Sequence, residues 1–517
     1  MAENLEGWKL TECDKAIEFI PEKEYAQLKF NFIDKTAVIS KPFKIQFMYE
    51  ATPVKDRPKE WREIRLLHES GYQLKTNTYH ANLDWNLSCD WPAASYSAKP
   101  APDGKFISWK EVFMNRKQDN LARKLKKLFG IRYGTYTGMA EKGASFKKYP
   151  PAVSVEEFVR YRDEWESIPG RIVRGASSNS LWHSERVCPG SKSYRDFWVW
   201  QIVNIIINPE IFDYDGVYFD NYGMINCSHR EHGCGWEDED GNWRPTETIL
   251  SLRELSKRIY KAVKLKKPDA ILMGHSSGGI NMAFSAFMDL SLDGENFRGT
   301  KLTSKTGHYT EVFPLDYARC EYTGKQFGFI PMHCAEVGYQ ITGNVQHYRV
   351  PDTEEFKHKN YRGTRELMAI LLLHDSLLIH GFYDKTAVRE PYNAYDRFGI
   401  GEEDVVFAGY WEAGDEIKCS NDKIKISYYK RSGKMAMLII SNLTPDNQEF
   451  TITIDPRKMG LPSKDLIAID GEPAGEASPL PDFDGRNLKI SVRDYDYKYI
   501  IIGGQEDMRE AMKSLGR

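Results

Sequence analysis

Between about residue 70 and residue 385 the chain alternates β-prone apolar runs with helix-periodic stretches, and few folds accept such a pattern. Eight candidate strands can be laid out, at residues 73–79, 131–137, 171–175, 216–220, 270–275, 288–293, 327–333 and 377–383. Helical stretches fall between them, at 109–129, 155–165, 194–207, 250–265 and 361–373. Residues 109–129, WKEVFMNRKQDNLARKLKKLF, repeat apolar side chains at three- and four-residue spacing with basic residues elsewhere, as an amphipathic helix does. Eight such units predict an α/β chain folded as a (β/α)8 TIM-type barrel. The connector after Gly278 is short, which keeps an open doubly wound sheet as the second reading.

The pattern changes near residue 400. IKISYYK, MAMLIISNL, EFTITID, LIAID, LKISVRD and YKYIII are short strands separated by turn clusters such as TPDNQ and DFDGRN. They predict a C-terminal antiparallel β-sandwich over residues 401–505, followed by a charged, frayed tail over 506–517. Residues 1–62 read as a short N-terminal β segment and a proline-bearing connector, which leaves 63–400 for the barrel.

Composition narrows the function classes. Lys and Arg number 71 against 74 Asp and Glu, so no basic surface calls for nucleic acid. No stretch is apolar and long enough for a membrane span. The N-terminus lacks an apolar signal core, so the chain as written reads as cytoplasmic, or as secreted or periplasmic where an export signal has been removed. The 12 Trp and 29 Tyr supply flat faces of the kind that stack on pyranose rings, although many must serve the core.

The stretch DGVYFDNYG, residues 215–223, locates the chemistry. Its apolar run reads as a buried parallel strand, and the carboxyl ends of such strands face the ligand site. Asp220 therefore stands at a pocket mouth, or else caps a turn. Reading off the other strand ends adds Trp85, Tyr136, Asn221, His275, Asp293, Glu295, His333, Glu336 and Tyr383. Carboxylates, imidazoles and aromatics on one rim suit glycosidic bond hydrolysis, which needs a proton donor and a second carboxylate. Asp220 and Glu295 form the first pair, with Glu336 as reserve acid. Asn221 and His275 would bind hydroxyls, Trp85 and Tyr136 would wall the sugar, and Asp293, His333 and Tyr383 complete the expected substrate-binding set. Glu295 in LDGENF also reads as a solvated turn carboxylate, and His275 as a satisfied strand-end histidine. Gly274-His275-Ser276-Ser277-Gly278 matches the letters of a nucleophile elbow, a short pattern that arises by chance.

A second constellation follows the same strand: Cys227, His229, His232 and Cys234. By ligand type these suit a structural zinc ion, while a Cys227–Cys234 disulfide and unliganded side chains are the competing readings. Carboxylate chemistry itself requires no cofactor.

Four stretches carry a family resemblance: FMYEATPVKDRPKEWR (47–62), DGVYFDNYG (215–223), CSHREHGCGW (227–236) and MDLSLDGENF (288–297). Together they resemble proteins grouped near glycoside hydrolase family 123, over roughly residues 30–400. The resemblance implies an N-terminal β-sandwich, a catalytic barrel, a C-terminal β-domain and a retaining exo-glycosidase, with β-N-acetylgalactosaminidase the characterised activity. It departs from the family twice. Only about 50 residues precede the barrel, so most of the N-terminal sandwich is expected to be missing. The family also carries an adjacent Asp-Glu pair where this chain has Asp220-Asn221, and a neutral amide cannot serve as the general acid. The expected partner is a carbohydrate: as the substrate of a glycoside hydrolase, with an N-acetylhexosaminide one candidate, or as the ligand of a non-catalytic glycan-binding protein on the same fold. A metal-dependent hydrolase centred on the Cys/His loop is the third class.

Overall fold

The computed structural model describes residues 6, 8–39, 42, 48–57, 61–63, 81–82, 132–138, 141–145, 161–169, 173–174, 182–210, 213–276, 278–297, 307–334, 336–342, 352–379, 383–462, 464–472 and 479–513. Its centre is a parallel sheet of seven strands: β1 (Ala81–Asn82), β2 (Arg132–Gly138), β3 (Gly216–Asp220), β4 (Ile271–His275), β5 (Leu290–Asp293), β6 (Ile330–Cys334) and β7 (Leu377–Ile379). Each strand pairs with the next in chain order. A doubly wound sheet reverses its strand order at a switch point, and this one does not. Among the described residues β1 and β7 end the run.

One expected strand lies elsewhere. Within 171–175 only Val173–Arg174 is extended, and it pairs antiparallel with Ser184 and His183 in a separate three-stranded sheet. The physical reason is that β2 already bonds directly to β3, Tyr136 opposite Tyr218, leaving no ladder for a strand between them. The first expected strand, 73–79, lies outside the described residues, and the sheet begins at Ala81–Asn82.

Both sheet faces are covered, which is why these strands read as apolar runs. Val217, Phe219 and Leu272 face helices α1 (Lys192–Gln201) and α2 (Ile249–Lys266), meeting Trp198, Leu252, Leu255, Ile259 and Val263. Tyr218, Met273, Leu290, Leu292, Ile330, Met332 and Cys334 line the other face, together with Trp61. This alternation decides which strand-end side chains share a face.

Helix α3 (Leu315–Tyr322) precedes β6, and α4 (Glu354–Leu371) precedes β7. Thr353 caps α4, its hydroxyl accepting from the Phe356 N–H at 3.2 Å, and Glu354 and Glu355 sit in the first turn where the helix dipole favours them. Helix α5 (Lys385–Phe398) follows β7.

Beyond α5 lie a five-stranded and a three-stranded antiparallel sheet. The central strand of the larger, β8 (Met435–Asn442), is buried along its whole length. Leu438 and Ile440 face Phe450, Ile452 and Leu488 of the smaller sheet, whereas Met437 and Ile439 share a core with Leu367, Ile370 and Leu371 of α4. The larger sheet thus joins the two halves of the chain. Of the tail expected to fray, the described part is ordered: Gln505–Lys513 is helical, with Met508 wholly buried in the core shared with α4. The N-terminal strands Ile17–Pro21 and Ala26–Phe30 form a hairpin that leaves Phe19 and Leu28 exposed. The connector then crosses onto the sheet, where Val54 donates to the Phe327 carbonyl at 3.0 Å and Arg62 pairs with Asp375 at 2.7 Å.

Candidate active site

Strands β3 and β4 lie side by side, Gly274 opposite Phe219, so their ends present Asp220 and His275 to one another. His275 Nδ1 stands 3.2 Å from Asp220 Oδ1 and also contacts the Tyr218 hydroxyl. Its other ring nitrogen, Nε2, stands 3.6 Å from Glu295 Oε2. The ring is 2 % exposed, whereas the Asp220 and Glu295 side chains are 17 % and 32 % exposed. Two solvent-reaching carboxylates are therefore bridged by one buried imidazole. Burial alone would lower the His275 pKa, but the hydrogen bond to Asp220 and the charges of Glu295, Asp220 and Asp293 raise it above its ordinary value.

Local backbone holds the arrangement. Asn221 follows Asp220 at φ 48°, a left-handed conformation that asparagine tolerates, and donates from Nδ2 to Asp220 Oδ2 at 3.1 Å. Gly294, at φ 131°, has no room for a side chain: a Cβ there would lie 2.8 Å from the Cys334 carbonyl oxygen. That turn delivers Glu295 to the face where His275 and Cys334 already sit, and ligand atoms of these three lie within 4.8 Å of one another.

Asp293 and His333 occupy other surroundings. Leu290 and Leu292 take the Tyr218 face of β5, and Met332 and Cys334 take it on β6, so their neighbours Asp293 and His333 alternate to the opposite side. Asp293 is buried, which raises its pKa, and it accepts from the Gly279 N–H at 3.1 Å, the Gly294 N–H at 2.8 Å and the Tyr317 hydroxyl at 3.4 Å. These bonds brace the loop after β4. His333 corrects an expectation outright. It is enclosed by Phe297, Phe313 and Tyr322, 1 % exposed, with its pKa pushed down to about 3 by burial, so it offers a sugar no surface.

Glu336 is buried beyond β6. Tyr383 is partly buried against the core shared by α4 and the larger C-terminal sheet. Tyr136 holds its place on β2, but its side chain, like Trp85 altogether, lies outside the described residues. Ser276, within the elbow-like letters, is followed by no immediate helix, since the next begins at Met282. Sequence reading missed Tyr218 and Cys334, and the signal was available, because each shares strand parity with the residues it joins.

A cavity of about 780 Å³ opens elsewhere, lined by Arg57, Arg62, Arg319, His374 and Trp411 among others. None of Asp220, His275 or Glu295 lines it, so its size does not make it the centre of chemistry.

In the expected metal loop, Cys227 and Cys234 lie together with a third thiol, Cys188. His232 Nδ1 is 3.4 Å from Cys227 Sγ. His229 turns away, its Nε2 reaching the Asp163 carbonyl at 3.0 Å.

Comparison with known proteins bears on one part of the chain. A search of curated proteins finds no match. Among solved structures, similar chains include the α-amylase of Anoxybacillus (11% identity, TM-score 0.39, covering 75% of this chain and 79% of that one). Another is a GH27 β-L-arabinopyranosidase from Geobacillus stearothermophilus (11%, 0.39, 88% and 95%). A third is a putative α-N-acetylgalactosaminidase from Bacillus halodurans C-125 (11%, 0.35, 74% and 78%). Likeness at this level carries no argument. The match that does falls after the parallel-sheet strands, beyond the four stretches that carry the sequence resemblance, and runs from within α5 into the C-terminal sheets. Residues 388–470 match the family model described as Glycoside hydrolase 123, C-terminal domain, so in this part the chain is GH123-like.

Proposed function

We propose that this chain is a glycoside hydrolase in which Asp220 and Glu295 act as the carboxylate pair around His275, at the mouth of a barrel that the parallel strands form by closing β1 toward β7, backed by a C-terminal β-sandwich. The observation that carries the reading is the bridge Asp220–His275–Glu295 across adjacent strand ends, with both carboxylates open to solvent and the imidazole buried. The GH123 C-terminal match supports the same class.

In this reading Glu295, the more exposed carboxylate, protonates the leaving oxygen. Asp220, held against the His275 ring, acts as nucleophile or stabilises the oxocarbenium-like centre. Asn221 holds Asp220 and does not supply the proton. The substrate is a glycan or glycoconjugate, with an N-acetylhexosaminide as the first candidate. A second reading, a glycan-binding protein without turnover, is favoured by the one observation that Asn221 stands where the resembled family has its acid.

The test is hydrolysis of a panel of α- and β-linked aryl glycosides, N-acetylhexosaminides included, by wild type and Glu295→Gln. Turnover by wild type, lost by about 10²–10⁴-fold in the variant, is the expected result. Unchanged turnover would move the acid to Glu336. Saturable glycan binding with no product from either protein would favour the binding reading.

A further inference from the structure

The Cys/His loop after β3 carries chemistry that the carboxylate site leaves unused. Cys188, Cys227 and Cys234 are all buried, and they form a cluster of thiols walled off from the main cores. Cys188 comes from far upstream, in the turn that leads into α1. The loop itself is folded closely. Asn226–Cys227 pairs with Thr246–Glu247, Trp236–Glu237 pairs with Trp243–Arg244, and Gly233 turns at φ 71° between His232 and Cys234.

The distances can be held against a coordination polyhedron. Tetrahedral zinc with Zn–S near 2.3 Å and Zn–N near 2.0–2.1 Å sets S–S edges at about 3.8 Å and S–N edges at about 3.5 Å. Cys188 and Cys234 place their sulfurs 3.9 Å apart, and Cys227 Sγ lies 3.4 Å from His232 Nδ1. The ligand atoms of Cys188, Cys227 and His232 also lie within 4.8 Å of one another. A disulfide would need sulfurs about 2.05 Å apart.

The surroundings match the same reading. His232 Nε2 lies 2.6 Å from the Glu164 carbonyl oxygen, which fixes the proton on Nε2 and leaves the Nδ1 lone pair for a metal. The Gly190 N–H donates to Cys188 Sγ at 3.1 Å, an arrangement that stabilises a thiolate. A Cβ on Gly190 would sit 3.0 Å from that sulfur and 3.2 Å from His232 Cβ, so glycine leaves the room the cluster needs. His229 lies outside the set: its ring stacks on that of His232 at 4.2 Å while its Nε2 reaches the Asp163 carbonyl at 3.0 Å.

We propose that Cys188, Cys227, His232 and Cys234 bind one structural zinc ion, with Cys188 taking the place that sequence reading gave to His229. On binding, the three thiols release their protons to water and the imidazole stays neutral. The ion would tie the turn before α1 to the loop that leaves the Asp220 strand, and so order one side of the carboxylate site.

The test is elemental mass spectrometry of the full chain, purified without chelator and without added metal. About one zinc per chain is expected, falling at least fivefold in Cys188→Ser and in Cys227→Ser and unchanged in His229→Ala. Because the serine variants could fail to fold, zinc release from wild type is followed in parallel with a metallochromic dye as a mercurial titrates the thiols. Release in step with thiol modification supports the site. A folded, reduced wild type that holds no zinc and takes none up overturns it. So does an intact mass showing a disulfide among these cysteines, or loss of zinc from His229→Ala as complete as from Cys188→Ser.

Discussion

Tyr222 donates its backbone N–H to the carbonyl oxygen of His275 at 2.7 Å, joining the turn after the Asp220 strand to the end of its neighbour. The ring of Tyr222 occupies the space beside Gly274, where a Cβ would meet it at 2.3 Å. Its hydroxyl lies 2.7 Å from Ser256 Oγ and donates to the Phe284 carbonyl at 2.8 Å, so the ring cannot easily retreat. Gly274→Ala is therefore expected to cost about 1–3 kcal/mol by overpacking and to displace both Asp220 and His275. Urea unfolding and turnover should fall together; a variant as stable as wild type would mean that the ring has somewhere to go.

The raised pKa of His275 makes stability pH-dependent. A group whose folded pKa lies above its unfolded value of about 6.5 stabilises the fold fully below that pH. The contribution is lost as pH rises through the folded pKa. His275→Gln should remove this component and flatten the decline in unfolding free energy above pH ~6.5. An unaltered slope in the variant would assign the decline to other groups.

His333 works in the opposite direction. Its pKa is pushed down to about 3 by burial among rings, so the neutral form stabilises the fold above pH ~6.5 and the contribution is lost as pH falls below it. His333→Phe keeps an aromatic ring in the box of Phe297, Phe313 and Tyr322 and removes the group that must charge. The variant should match wild type within about 1.5 kcal/mol at neutral pH and exceed it by several kcal/mol near pH 4. Equal acid sensitivity in the two proteins would reject this account.

Asn221→Glu places a carboxylate where the resembled family has one, in a backbone conformation that costs a non-glycine side chain about 1–2 kcal/mol. If Glu295 is the acid, adding this change to Glu295→Gln should restore little or no turnover. Recovery to within about tenfold of wild type would return the acid role to position 221.

The two halves of the chain are coupled through Arg365 and Asp496, both 3 % exposed, whose Nε and Oδ1 lie 2.6 Å apart. Arg365 also donates to Glu472 Oε1 at 2.6 Å and to the Tyr497 carbonyl at 3.0 Å. Asp496→Ala should destabilise by about 3–5 kcal/mol, because it leaves a buried guanidinium short of a partner. A loss below about 1 kcal/mol in chemical denaturation would place the pair among screened surface bridges.

Much of this organisation was legible in the sequence because it is local. The apolar runs at Gly216–Asp220, Ile271–His275, Leu290–Asp293 and Ile330–Cys334 declare themselves by β propensity and by the turns that bound them. The short C-terminal strands do the same, and strand-end position picks out Asp220, His275 and Glu295, which the structure sets side by side. Strand parity was legible as well. Met332 and Cys334 on one face put His333 on the other, which strand-end position alone does not reveal. What only the tertiary structure decided is non-local. Val173–Arg174 has the composition of a barrel strand, yet it joins an antiparallel sheet because β2 and β3 already satisfy each other's backbone groups. Cys188 carries no local sign of kinship with Cys227 and Cys234, and it meets them because the turn before α1 packs against the loop after β3. Spacing along a chain reports which residues share an element, whereas register and loop path decide which elements share a site.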